Sequence, residues 1–125
     1  DDLFAGLLNR DVFEAIDVSL RANPNLGLVY PRSRSCSSWS GNLSRARELA
    51  VRMGITSLPA QPDFAVGGMF AGSAKPLREL FLHEALEVIA QPEPLATDGE
   101  YIHALERLVT PFVLDRGFRI AKSCA

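Results

Sequence analysis

Cysteine is scarce in this chain, with only Cys36 and Cys124 among 125 residues. Two thiols so far apart lack the close Cys/His spacing of a zinc site, and a single disulfide between them is the alternative to two free thiols. They read as unremarkable thiols of a cytoplasmic protein, the expected location. Charge of one sign is also missing: 13 Lys and Arg against 15 Asp and Glu leave a formal net charge of −2. The two signs are mixed along the chain, so no basic stripe points to a nucleic-acid partner. No apolar run reaches the roughly 18–20 residues that span a bilayer, and no secretory leader pattern opens the chain. Internal repeats, a phosphate-binding glycine loop, a metal-ligand pattern and a Ser/His/Asp set in recognisable context are likewise lacking.

What remains is the composition of a folded domain. Hydrophobic residues make up 47% and charged residues 22%, an ordinary balance that argues against disorder. The whole chain, 1–125, is read as one domain with a real core.

Apolar residues from Leu3 to Leu20 recur at helical spacing (Leu3, Phe4, Leu7, Leu8, then Val12, Phe13, Ile16, Leu20), with Asn9 or Asp11 able to divide the run. Arg10/Glu14 and Asp17/Arg21 stand four apart, as on a solvated helix face. Asn23-Pro24-Asn25 stops this helix. Leu26 to Tyr30 then reads as a short buried strand closed by Pro31. The Ser- and Arg-rich stretch from Arg32 to Asn42, with Trp39, is a loop. A helix is expected over Leu43–Met53, with Gly54 as its left-handed stop. Phe64 to Phe70 reads as one strand broken by Gly67-Gly68. Ser73 is expected to cap a helix burying Leu77, Leu80, Phe81, Leu86 and Ile89, with His83 solvated on it. Asp98 opens a last helix running to about Asp115 with Pro111 inside it; Gly117 ends it and Phe118–Ala121 is a final strand. Helices alternating with short apolar strands predict an α/β fold, a mixed sheet with flanking helices.

Chemistry can sit in three places. On the last helix, Tyr101, Ala104, Leu105, Leu108 and Phe112 share an apolar face, while Gly99, His103, Glu106 and Thr110 form a polar stripe with Arg107 at its edge. The stripe fits a polar cleft, and it fits equally a helix cap with a surface salt-bridge cluster. Gly67 and Gly68 permit a ligand or a backbone to approach, with Met69 and Phe70 beside them; a plain strand bulge gives the same pattern. Trp39 can stack on a sugar or anchor its loop to the core.

Four segments, in order, resemble bacterial sugar transferases of the rhamnan-synthesis F group. They are Asn25–Pro31; Trp39-Ser40-Gly41-Asn42 with Arg52-Met53-Gly54-Ile55; Phe64–Phe70 followed by Leu77; and Asp98-Gly99 with His103–Leu108. Ala71 and Ser73 depart from the aromatic and the Arg that the group often carries after its Met-Phe pair. The resemblance implies a partial GT-A-like, Rossmann-related fold, of which this chain is the C-terminal, acceptor-side part. It implies a nucleotide-sugar donor and a glycan acceptor, used at the cytoplasmic side of the membrane to build surface polysaccharide. It also implies a divalent cation, Mg2+ or Mn2+, held by an Asp-x-Asp in an upstream donor-binding half; no Asp-x-Asp occurs here. Asp98 is the implied catalytic base and Glu106 the second choice. Gly67, Gly68, Met69, Phe70, His103 and Trp39 are the implied substrate contacts. A non-catalytic carbohydrate-binding or assembly module is the alternative.

Overall fold

Residues 10–89 and 101–123 are described by the computed structural model. Helix α1 (Arg10–Ala22) leads through the Asn23–Asn25 turn into strand β1 (Leu26–Pro31), whose six residues are all buried. A single 3-10 turn and the short strand β2 (Ser35–Cys36) follow. Next come helix α2 (Leu43–Met53), strand β3 (Phe64–Ala65), strand β4 (Ala71–Gly72) and helix α3 (Ala74–Phe81). The chain closes with helix α4 (Tyr101–Asp115) and strand β5 (Arg119–Ser123). The fold is mixed α/β. A three-stranded sheet runs β4-β1-β5, antiparallel on one side of β1 and parallel on the other, and β2 pairs with β3 in a separate ribbon.

Within the described residues, helices α1, α2 and α4 and strand β1 lie where their periodicity puts them. Arg10–Glu14 and Arg21–Asp17 form ion pairs of 3.0 Å on the outer face of α1. Both are well exposed, so each contributes only a few tenths of a kcal/mol. Gly54 ends α2 with φ of 71°, and Ile55 N–H returns to Ala50 O at 2.9 Å, the reason glycine suits the position. The Leu3–Leu8 stretch, Asp98–Glu100 and Cys124 lie outside the described residues.

Several expectations are corrected, the first being that the stretch from Arg32 to Asn42 is all loop, since it holds the 3-10 turn and strand β2. Phe64–Phe70 is not one strand: β3 joins the β2 ribbon, β4 joins the main sheet, and a 3-10 turn at Val66–Gly68 carries the chain between them. The helix after Ser73 stops at Phe81, and Glu84–Ile89 is a separate 3-10 segment. His83 helps to divide them, because its Nδ1 accepts the Ala85 N–H at 3.1 Å in place of a helical partner. The ring is half-buried, edge-on to Phe112 at 6.4 Å, and so is not the solvated side chain expected. Phe81 is correspondingly 51% exposed instead of buried.

Two clusters hold the layers together. The larger gathers Leu28 and Tyr30 of β1, Leu49 and Met53 of α2, Leu80 of α3, and Leu108 and Phe112 of α4. The smaller lies under α1 and joins Ile16 to Leu26 and Val29. Leu26 and Leu28, two apart, would share a face in a regular strand. Here they enter different clusters because the β1–β5 register slips between them, with Gly27 at the slip. A Cβ on Gly27 would stand 2.7 Å from both Phe118 Cβ and Val113 Cγ1. Gly27→Ala is therefore expected to cost about 1–3 kcal/mol from overpacking. Urea denaturation would measure this, and a shift below about 0.5 kcal/mol would show that α4 and β5 yield without strain.

Candidate functional site

Helix α4, which carries one of the segments bearing the resemblance, packs against the other three. The Trp39–Asn42 segment is a closed turn in which Ser40 takes a φ of 52°, and the buried Asn42 donates to Trp39 O from both its backbone N–H and its Nδ2, each at 3.0 Å. The Trp39 indole N–H donates to Ala60 O at 3.1 Å and Pro59 O at 3.3 Å, tying this turn to the 59–60 connector. Arg107 of α4 then reaches over: its Nε donates to Ser38 O at 2.9 Å, and its guanidinium lies 4.5 Å from the centre of the Phe64 ring. Its Nη1 also donates back to His103 O at 3.0 Å. One residue earlier, Glu106 Oε1 accepts the Gly67 N–H at 2.7 Å. A planar guanidinium with several fixed donors suits such bridging between a carbonyl and a ring face.

The implied contact residues separate into different environments. Glu106, Gly67 and Gly68 share one surface, with His103 half-buried a turn away on α4. Gly67 and Gly68 have φ of 73° and 68°, and a Cβ on either would have nothing within 4 Å. Backbone conformation, not crowding, therefore accounts for glycine at both positions. Met69 packs into the cluster under α1, while Phe70 packs into the main core, so the pair does not form one platform. Trp39 is only 8% exposed; the edge left accessible borders a cavity of about 450 Å3 beside α2. Asp98 lies outside the described residues.

A second polar cluster went unforeseen. Tyr30 and Lys122 are cross-strand partners near the C-terminal ends of the parallel strands β1 and β5. The Tyr30 hydroxyl donates to Asp63 Oδ1 at 2.9 Å, and Lys122 Nζ lies 2.8 Å from Asp63 Oδ2. Burial, and then the bond to the Asp63 carboxylate, hold the Tyr30 phenol well above its ordinary range. Thr110 Oγ1 is near enough to temper that rise, yet it is buried without a hydrogen bond of acceptable geometry. Thr110 itself was expected on the polar stripe of α4 and is 3% exposed. The signal available in the sequence was a tyrosine near the end of a buried strand, since loops beyond such ends form sites in α/β sheets.

Among the described residues, no group of three or more His, Cys, Asp or Glu can hold a metal ion, and no helix is long and apolar enough to cross a membrane. The fold and site thus define a small mixed α/β unit with side chains on one helix fastening two loops, and nearby a buried tyrosine bonded to a partly exposed Asp63–Lys122 pair. No family model, no curated protein and no solved structure matches the chain.

Two outcomes follow from this geometry. Glu106→Ala removes the acceptor for Gly67 N–H and is expected to cost about 1 kcal/mol, whereas Glu106→Gln, which keeps an acceptor, should recover most of it. Equal stability of all three proteins in urea would show the contact to be inconsequential. The Tyr30 phenol, raised when folded, contributes stability that is complete below its unfolded value near pH 10 and is lost as pH climbs further. Tyr30→Phe should cost about 1–2 kcal/mol at pH 7 and flatten the decline above pH 10. Unchanged alkaline denaturation in this variant would assign the decline to other groups.

Proposed function

We propose that this chain is the acceptor-side part of a GT-A-like glycosyltransferase, similar to the rhamnan-synthesis F group, which moves a sugar from a nucleotide-sugar donor to a growing bacterial surface polysaccharide. The observation that carries this reading is that the α4 segment meets the Phe64–Phe70 segment, through Glu106 to Gly67 and Arg107 over Phe64, and reaches Ser38 beside the Trp39–Asn42 segment. Segments of one functional surface are expected to converge in this way, because a site is assembled from separate loops on a rigid element.

In this reading Asp98 removes the proton of the acceptor hydroxyl as its oxygen bonds to the anomeric carbon of the donor. The carbon–oxygen bond to the nucleotide diphosphate breaks, the diphosphate leaves with the electron pair, and the configuration inverts. The sequence expectation that Asp98 opens a helix would favour its ionisation, since helix-start N–H groups stabilise a carboxylate. Glu106, already holding the Gly67 turn, positions that loop beside the acceptor. His103, Gly68 and the accessible edge of Trp39 are the further contacts offered to substrate. The divalent cation belongs to an upstream donor half. The described residues present no set fitted to it, and no step here runs through it.

One observation favours the binding-only module instead: the Glu106 carboxylate serves as a structural tie, which leaves Asp98 as the single unassigned acid of the implied pair. Asp98→Asn separates the two readings, since Asn caps a helix about as well as Asp but accepts no proton. In the parent protein with its upstream half, transfer from a panel of nucleotide sugars is expected to fall in kcat by roughly 10²–10⁴-fold with stability unchanged. An unchanged rate would reduce Asp98 to a cap. Saturable glycan binding without any turnover by the wild-type parent would establish the module.

A further inference from the structure

Among the described residues, strand β5 has β1 as its one strand neighbour, so its other edge is open. An open edge leaves main-chain donors and acceptors without ladder partners. Arg119 N–H turns towards β1 and donates to Asn25 O at 2.7 Å. Main-chain groups of successive strand residues point to opposite edges, so Ala121 and Ser123 also turn to β1 while Ile120 and Lys122 face outward. Side chains alternate as well. Ile120 packs on the main core and Lys122 Nζ reaches Asp63, which puts Arg119, Ala121 and Ser123 on the opposite face, towards α1. That face is uncovered: a cavity of about 650 Å3 lies between β5 and Val12, Ile16 and Ser19 of α1, and Ala121 is exposed beside it. Helix α1 therefore leaves the edge of β5 clear for another strand.

We propose that the open edge of β5 pairs with the same edge of a second copy of this chain, antiparallel about a two-fold axis at Ala121. A two-fold contact demands a self-complementary surface, and this strand provides one. In this register Ile120 of one copy stands opposite Lys122 of the other. Both turn their main-chain groups to the partner strand, so each such pair exchanges both of its N–H···O=C bonds. Ala121 meets Ala121 at the axis as a non-hydrogen-bonded pair, where Cα atoms approach to about 4.5 Å and a small side chain suits best. Arg119 stands opposite Ser123, so no like charges face each other directly. The two Lys122 side chains are diagonal neighbours. Each ammonium is already held by Asp63 at 2.8 Å, which offsets the repulsion that ordinarily keeps a charged edge strand unpaired. Other registers fit worse. An axis at Lys122 sets two lysines directly opposite. An axis at Ile120 sets Lys122 against Phe118, whose N–H already donates to Val113 O at 3.2 Å. Pairing of this kind uses only strand edges and charge, so it stands apart from the glycosyltransferase reading.

Sedimentation equilibrium of the 125-residue chain at micromolar concentrations tests the pairing, together with amide hydrogen exchange across a dilution series. A reversible dimer is expected. Exchange at Ile120 and Lys122 should slow with rising concentration far more than at Ala121, which is already bonded to β1. Ala121→Glu and Ala121→Lys each set like charges face to face at the axis on an exposed side chain, and each should weaken dimerisation by about tenfold or more. An equimolar mixture of the two variants should restore the dimer, because a carboxylate then faces an ammonium. Mixing cannot rescue a variant that merely misfolds, and in that event the exchange of the wild-type chain decides. A monomer at every concentration would overturn the proposal and leave this edge to a different protein. So would a dimer that persists in both variants, folded monomeric variants that mixing fails to pair, or unchanged exchange at Ile120 and Lys122.

Discussion

The burial of β1 on every residue is the constraint on which the rest of the structure depends. A strand with no exposed face needs hydrogen-bonding neighbours on both edges and a packed layer on both faces. β4 and β5 supply the edges, one antiparallel and one parallel. Helix α1 supplies one face through Ile16, and α4 with α2 and α3 supplies the other through Phe112, Leu49 and Leu80. The slip at Gly27 sets how β1 divides its side chains between these faces, sending Leu26 to α1 and Leu28 with Tyr30 to α4. Each elements' position follows from that single strand: α4 must lie close at Gly27, and β5 must begin beside Leu26.

Burying Tyr30 in β1 creates a polar requirement that the connector before β3 meets. Its hydroxyl needs an acceptor, and Asp63 fills that role while Lys122 balances the carboxylate. A buried hydroxyl bonded to a half-exposed ion pair costs less than an unpaired one and fixes the connector to the sheet. The same connector accepts the Trp39 indole at residues 59–60. Two loops that would otherwise run free over α4 are thereby joined to each other and to the strand ends. Arg107 and Glu106 complete the arrangement from the helix, each through a bond to backbone. Side-chain bonds to backbone define where a loop runs without depending on the loop's own side chains, so loop residues remain available for contacts.

Much of the local structure was legible in the sequence because it is set by short-range chemistry. Apolar residues at helical spacing marked α1, α2 and α4, the Asn23-Pro24 pair ended α1, and Gly54 stopped α2 where the backbone turns left-handed. The strand β1 stood out as an apolar run between two prolines. For the candidate site, the polar stripe on α4 was visible as Glu106 with His103, and Gly67 was visible as a special backbone position. That Glu106 and Gly67 meet each other was not visible, since 39 residues separate them and no local rule relates them.

Tertiary packing decided the remainder. The apolar stretch Phe64–Phe70 carries no mark that only Phe64–Ala65 pairs, with β2, while the pairing with β1 falls just beyond it at Ala71–Gly72. Thr110 reads as a surface residue by its place on the stripe, and it is buried because β1 presents Tyr30 to that part of α4. The helix after Ser73 reads as continuous, and ends early because His83 can bond the Ala85 N–H and rest its ring against Phe112. By itself the sequence determined which segments are helix or strand, and where turns reverse them, because those follow from dihedral preference and side-chain period along a few residues. Only the tertiary structure decided which faces meet, since burial and hydrogen-bond satisfaction are properties of pairs brought together from distant parts of the chain.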